Sequence, residues 1–398
     1  MKVPIEALKT AMPLSSYLQN YYKLDLRKSG NVFVCNCPFH EEKTGSFVVF
    51  KDNYHCYGCG EHGDIINFTQ KKERLGFKEA CELIAQNEGI EYTIEPPNKY
   101  HEQYKNVMEE YSNRYAEQLL ATDNNALDYL TKERGLTIES IKKFRLGLVP
   151  DKEYKSRNDI GGISNRISFP IFENKNKKYA KCLGMGYRTL VPGEKPKYIN
   201  DKNQSDQNSN LYGVFIKGNC LYGYQEAEES IRKRNFAIIV EGYMDVISLH
   251  QSGIKNTVGA MGTSVTHAQI DSIAKLTKNV ILFLDGDNAG VTNMFRILPM
   301  FLKTGINVKM IVAKNNKDAA DICKDFNFDT RKVYNYICVN SKLALEYMLN
   351  LAFMEYSDVV MNEKRKIYKK IMPIINCIEN EIDKELYLSS LKKKLEIV

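Results

Sequence analysis

From Asn235 onward the chain is built of short apolar runs separated by segments with helical spacing. "FAIIV" is an unbroken apolar run that ends at Glu241, and "YMDVISLHQSG" follows it with apolar residues at helical intervals until Gly253. "NTVGAMG", "NVILFL" and "NVKMIVA" are three further strand-sized runs. Between them lie "THAQIDSIAKLTK", which starts at a Ser/Thr cap, and "AGVTNMFRILPMFLKTG", in which Pro299 is expected to introduce a kink. "DAADICKDF" then opens a short helix. The order β-α-β-α-β-α-β predicts a parallel sheet with helices on its faces. Strand runs this apolar suit strands buried on both sides.

Upstream the pattern is different. "NVFVC", "SFVVF" and "NYHCYG" are short β-like runs in the first hundred residues, and "DIINFTQKKERLGFKEACELIAQ" is helical. "EPPNK" at 95–99 reads as a linker because two prolines prevent helix continuation. A helix then opens with Tyr104, Val107, Met108, Tyr111, Tyr115 and Leu119 every three or four residues, a stripe expected to be core. After "KERGLTIESIKKFRLGLVP" come short strands, "ISFPIF", "YAKCLGMGYRTL" and "KYIN", in a mixed α+β region. From about Tyr334 the chain reads as helices rich in Lys and Glu.

Composition narrows the class. A chain of 398 residues has room for two to four domains, and 43% hydrophobic with 26% charged residues is ordinary for a globular protein. The longest apolar runs are far short of a membrane span, and "MKVPIEALKTAMPLSS" has no apolar signal core, so the expected location is the cytoplasm with no membrane partner. Scattered cysteines (Cys35, Cys81, Cys182, Cys220, Cys323, Cys338 and Cys377) suit reduced thiols rather than a disulfide framework. The net charge of +7 is unevenly placed: Thr131–Cys220 holds 18 Lys and Arg against 9 Asp and Glu, whereas residues 1–98 hold 11 against 13. The middle of the chain could therefore track a phosphate backbone.

Two paired motifs carry metal chemistry. Cys37 and His40 in "CPFHEEKTGSF", with Cys56 and Cys59 in "CYGCGEHGD", have the close-pair spacing of a four-ligand structural zinc site. His55 adjoins a ligand, and in a strand its side chain points the other way. Six carboxylates form the second set. Glu241 ends the first strand of the regular region and Asp245 follows one helical turn later; Asp285 and Asp287 end the third strand; Asp318 and Asp321 follow the fourth. In open parallel sheets the working groups gather at the carboxyl ends of strands. Acids converging there would repel unless cations such as Mg²⁺ neutralised them, and a single Asp such as Asp287 or Asp318 would otherwise read as a helix cap. The chain contains no Gly-Lys dipeptide, which excludes a P-loop ATPase.

"CPFHEEKTGSF…YHCYGCGEHGD" resembles the CHC2 zinc-binding domain of bacterial DnaG-type DNA primases. "VEGYMDV", "AMGTS" and "LDGDNAG" resemble the Toprim domain of the same family, and "RGLT", "SFPIF", "GYR", "KYIN" and "KG…LYG" occur in the family's order. The resemblance covers roughly residues 1–330. It implies an α/β multidomain protein: a zinc ribbon (1–94), a linker (95–100), a basic mixed α+β subdomain (101–234), a Rossmann-like Toprim sheet (235–330) and a helical C-terminal part (331–398). It implies Glu241, Asp285 and Asp287 as catalytic residues, with Asp245, Asp318 and Asp321 joining them around two or more Mg²⁺ or Mn²⁺ ions. Arg134, Arg188, Lys197 and Lys217 match family positions around the active site and template path. Lys43, Phe47, Lys51 and Tyr57 of the zinc module are the expected exposed contacts to template.

The implied partners are single-stranded DNA, ribonucleoside triphosphates and the RNA–DNA hybrid, at a replication fork. A replicative helicase is a further candidate, although only about 70 residues follow the Toprim region. "DAAD" stands where most of the family has Asp-Pro-Asp, and "SDQNSNLYGVF" reads as an insertion. A Lys/Asn-rich, shortened chain fits a phage or plasmid origin or an AT-rich bacterium. Two other readings stay open: a Toprim nuclease or topoisomerase, and a non-catalytic zinc-dependent single-strand-binding replication protein.

Overall fold

The computed structural model describes residues 8, 12–73, 75, 77–89, 99–121, 124–151, 163–175, 177–205, 211, 213–262, 264–284, 288–313, 317–354 and 361–396. It packs as two compact units, Met1–Asn98 and Lys99–Val398. Residues 95–98 of the expected linker lie outside the described residues, and residues 99 and 100 already belong to the helix Lys99–Ala121.

The first unit is an antiparallel meander of β1 (Arg27–Ser29), β2 (Val32–Cys35), β3 (Phe47–Val49), β4 (Tyr54–Cys56) and β5 (His62–Gly63), in that order. The helices Leu14–Tyr22, Ile65–Glu73 and Phe77–Asn87 accompany it. Such short strands bury little by themselves, so the core joins Leu14, Leu18, Ile65, Ile66 and Ile84 of the helices to a set of aromatic rings. Phe47 stacks on Tyr54 at 4.9 Å, and Phe68 meets the Tyr54 ring edge-on at 5.6 Å. The Asp64 side chain accepts from the amides of Ile66 and Asn67 and so starts the helix that delivers Phe68.

The second unit holds two sheets. β6 (Gly147–Leu148), β7 (Ile167–Phe172), β8 (Cys182–Arg188) and β9 (Tyr198–Asn200) form an antiparallel sheet in sequential order. From the preceding helix Met108, Tyr115 and Leu119 are buried as the stripe predicts, whereas Val107 is 46% exposed. The second sheet has the order β11-β10-β12-β13-β14, with β10 (Ala237–Val240), β11 (Thr257–Gly259), β12 (Asn279–Leu284), β13 (Asn307–Val312) and β14 (Lys342–Leu343). The first four strands are mutually parallel, as expected, and β14 adds an antiparallel edge within a region that reads as helical.

Side-chain alternation along the parallel strands divides the interior in two. Ala237, Ile239, Val280, Leu282, Val308 and Met310 face one core, shared with the helices Tyr224–Arg234, His267–Ala274 and Asn288–Leu302 and with the C-terminal helices Ala344–Met354, Met361–Ile375 and Glu381–Leu395. Ile238, Val240, Phe283 and Ile311 face the other, shared with the helix Tyr243–Gln251 and with Phe169 and Ile171 of β7. Tyr243 couples the two sheets. Its ring stacks on Phe169 at 5.0 Å, and its hydroxyl bonds the Asn200 side chain of β9. A Cβ at Gly186 would lie 2.4 Å from that hydroxyl, so the approach needs glycine there.

Candidate zinc centre and candidate active site

Cys37 and His40 lie in the loop after β2, Cys56 ends β4, and Cys59 lies in the turn beyond it. One ligand atom from each of the four falls within 4.8 Å of all the others. The Cys37 and Cys59 sulfurs are 3.8 Å apart. Two thiolates on a tetrahedral zinc, each about 2.3 Å from the ion, would be separated by about that much. His40 turns Nδ1 toward Cys56 Sγ at 3.8 Å and Nε2 toward Glu42 at 3.2 Å. Glu42 is itself fixed by the amides of Cys37 at 2.7 Å and Ser46 at 2.8 Å. A carboxylate behind a ligating imidazole is the outer support zinc sites ordinarily have. Burial alone would raise the Cys56 thiol, but hydrogen bonds from Ser46, Cys59 and Gly58 outweigh it and hold the thiol below its usual value. Burial pushes the Cys37 and Cys59 thiols up. A Cβ at Gly58 would meet His40 Nε2 at 2.7 Å, so this turn also requires glycine. The donor set fits zinc, and His55 is turned away to stack against His62, as strand alternation requires.

Of the four expected template contacts in this unit, Lys43, Lys51 and Tyr57 are exposed, Tyr57 by 70%. Phe47 is a correction: it is fully buried between Tyr54 and Phe68 and cannot meet a ligand. In "SFVVF" every position but the first is apolar, so the sequence does not reveal which alternate residues face inward.

The second site is a cavity of about 340 Å³ at the carboxyl end of β10, within the second unit. Glu241, Asp245 and Asp318 line it from the parallel sheet, and Arg134, Arg188 and Lys197 line it from the antiparallel part. Arg188 ends β8. Its guanidinium lies 4.9 Å from the Tyr129 ring and 5.3 Å from the Tyr198 ring, and Nη1 donates to the Tyr198 hydroxyl at 3.0 Å. Tyr129 opens a single π-helical turn, Tyr129–Glu133, that delivers Arg134 next. Burial, with Arg188 and Arg134 nearby, holds the Lys197 ammonium below the usual lysine value, while Asp318 and Asp321 partly oppose this. Lys217 reaches the rim, since a Cβ on the cavity-lining Gly262 would lie 3.8 Å from its Nζ. Cations crowded in this way repel one another and favour an anionic ligand. Tyr129, Tyr198 and Asn200 were missed in the sequence. The signal for the last two was alternation in "KYIN", where Tyr198 and Asn200 share the face that meets Tyr243.

The acids are less uniform than their placement after strands suggests. Both Asp245 oxygens accept backbone amides, one from Gly242 and one from Ala320, each at 3.0 Å. Asp245 thus braces the turn after β10 against the start of the helix Ala319–Asp325. Asp318 caps that helix, accepting from the Asp321 amide at 2.7 Å, and Asp321 reaches back toward the Asp318 amide. Asp285 and Asp287 lie outside the described residues, immediately after β12, which runs beside β10. Among the described residues the acids of this edge form no group of three close enough to share one ion.

The first unit thus holds a four-ligand site of zinc type, and in the second a group of cations faces the acidic carboxyl edge of the parallel sheet. The family comparisons agree: a CHC2 zinc finger model matches residues 1–100 and a Toprim-like model residues 238–323. The chain is 35% identical over 361 residues to the DNA primase of Helicobacter pylori (strain J99), covering 83% of this chain and 61% of that protein. It is 31% identical over 351 residues to the DNA primase of Aquifex aeolicus (strain VF5), covering 82% of this chain and 67% of that protein. The crystal structure of the Aquifex aeolicus primase, comprising zinc-binding and RNA polymerase domains, superposes with a TM-score of 0.59 at 26% identity, over 100% of this chain and 98% of that one. The chain belongs to the DNA primase family, and it spans about three fifths of the length of the Helicobacter pylori relative.

Proposed function

We propose that the protein synthesises short RNA primers from ribonucleoside triphosphates on single-stranded DNA, in the cytoplasm at a replication fork. The observation that carries this reading is the cavity in which Arg134, Arg188 and Lys197 face Glu241 across the carboxyl end of β10. The cations suit the triphosphate and the phosphates of template and primer, which position the strand without reading its sequence. Glu241, Asp285 and Asp287 are the residues to hold Mg²⁺ or Mn²⁺, which when bound would neutralise charge on the transferring phosphoryl group. Asp245, Asp318 and Asp321 shape this edge through their backbone hydrogen bonds. The similarity to a primase that contains an RNA polymerase domain supports the same reading. The test is incubation with single-stranded DNA, labelled ribonucleotides and Mg²⁺ or Mn²⁺. Short RNA products are expected; strand cleavage or relaxation without RNA would favour the nuclease or topoisomerase reading instead.

The zinc unit is assigned to template contact through Tyr57, Lys43 and Lys51. Tyr57→Ala should leave folding intact and weaken single-strand binding by about 1–3 kcal/mol, the usual worth of one base stacked on an aromatic ring. Phe47→Ala should do the reverse, lowering the stability of this unit by about 3–5 kcal/mol because a core ring is removed. Thermal unfolding and fluorescence anisotropy with a labelled oligonucleotide separate the two. Equal effects of both variants on binding at a temperature where both are folded would refute the assignment.

A further inference from the structure

We infer that the C-terminal helical hairpin, Met361–Ile375 and Glu381–Leu395, carries a second single-strand-binding surface, separate from the cavity at β10. The two helices pack through Ile367, Ile371, Leu391 and Leu395. The 2.8 Å ion pair between Lys364 and Glu396 places the start of the first helix beside the end of the second. At that end of the hairpin Arg365, Lys366, Lys369, Lys392 and Lys393 are all exposed, and Tyr368, 36% exposed, lies among them. Lys370 leans over the Phe295 ring at 4.5 Å, and Lys394 over Phe353 at 5.6 Å, so the edges of the patch are held to the body of the unit. Of the acids of the hairpin, Glu379, Glu381, Asp383 and Glu385 gather at its opposite end; Glu363 and Glu396 lie at the basic end, Glu363 half-buried and Glu396 paired with Lys364.

A face that merely solvates a helix usually intersperses charges of both signs, and (i, i+4) pairs of opposite sign support the helix. On the first helix of the hairpin the exposed charged (i, i+4) pairs are Arg365 with Lys369 and Lys366 with Lys370, both like-charged and therefore unfavourable to the isolated fold. An arrangement that destabilises the helix is accounted for by a polyanion that neutralises it. Cations with an interleaved aromatic ring suit a single strand, whose phosphates and unstacked bases lie side by side. The same helix packs on Asn288–Leu302, the helix that follows Asp285 and Asp287 in the sequence. The surface thus belongs to the same unit as the cavity and could hold template beyond the cavity's reach. That use rests on the polymerase reading; the binding itself does not.

The experiment compares the full-length protein with the variant Lys366→Glu, Lys369→Glu, Lys392→Glu, Lys393→Glu in direct binding, without nucleotides. Strands of about 8 and about 40 nucleotides are used, a contrast that spans the usual footprint of one binding module. For the long strand, affinity should fall at least tenfold, and the slope of log affinity against log salt should shrink by roughly 0.7 for each phosphate that the variant no longer neutralises. Affinity for the short strand should change little, because the cavity and zinc unit are intact. In the wild type, the long strand should protect Lys366 and Lys393 from acetylation. Unchanged long-strand affinity and slope, or no protection, would overturn the inference. So would a variant that keeps its DNA affinity but loses binding to vesicles containing phosphatidylserine, which would assign the patch to a lipid surface. A protein that binds through the patch yet makes no RNA would sink the polymerase reading and leave this one standing.

Discussion

Protein freshly purified without chelator should contain about one zinc per chain, and Cys56→Ser should contain none. Cys56 is fully buried, within hydrogen-bonding reach of Ser46 and facing His40, so its loss opens the tetrahedron from inside. The strands of the first unit are two to four residues long, and its core combines aromatic rings with Leu14, Leu18, Ile65, Ile66 and Ile84 of the helices. The four ligands come from separate loops and strands of the meander, so one ion ties these segments together. Structural zinc contributes about 10–16 kcal/mol in isolated zinc-finger peptides. The variant should therefore lose the order of the zinc-site loops and β1–β5, while the second unit, with its own two-sided core, persists. Limited proteolysis with mass spectrometry reads this directly. The wild type should release its zinc as the pH falls, because thiolate and imidazole ligands must be deprotonated to bind. Absence of metal in the purified protein, or a variant as protease-resistant as the wild type, would refute the site.

The elements legible in the sequence are those with a strong period or fixed spacing. The two cysteine and histidine pairs announced one centre because a two-residue gap lets both side chains of a pair reach a single ion, and the geometry brings all four together. The parallel strands were legible because "FAIIV" and "NVILFL" lack polar positions past the first residue, and the structure buries them from both sides. Strand order was not, since β11 and β12 are both joined to β10 by parallel pairing that no local signal distinguishes. Nor was the two-residue β14, too short for any period to show. Phe47 was misplaced because an all-apolar strand hides its alternation. "DAAD" looked like metal ligands, yet its spacing is also that of a reciprocal cap, and backbone donors at a helix start are present whether or not an ion is. Asp245 shows the same competition, with one carboxylate serving two backbone amides from elements far apart in sequence.

That difference among the acids sets the largest expected effect on activity. Glu241→Gln, Asp285→Asn and Asp287→Asn should each reduce primer synthesis by orders of magnitude. Removing a preorganised contact to charge developing in the transition state costs about 3–4 kcal/mol, or a factor of about 10²–10³. Each change nearly preserves shape and relieves repulsion among neighbouring carboxylates, so folding should be unharmed. Single-strand affinity should stay within a few-fold, because the residues proposed to hold the phosphates, Arg134, Arg188, Lys197 and Lys217, are unchanged. Asp245→Asn should behave differently. Its amide can accept from only one of the two backbone donors it now serves, leaving the Gly242 or Ala320 amide unpaired at a cost of about 1–3 kcal/mol. It should lower stability as well as activity, and Asp318→Ala should lose about 1 kcal/mol as a removed helix cap. Parallel measurement of thermal unfolding, strand binding and primer synthesis separates the groups. If Glu241→Gln, Asp285→Asn and Asp287→Asn fold, bind and still make primers at the wild-type rate, the carboxyl edge of this sheet is not the polymerase centre. If they instead lose stability as Asp245→Asn does, their carboxylates are structural, and the cavity serves only to bind phosphate.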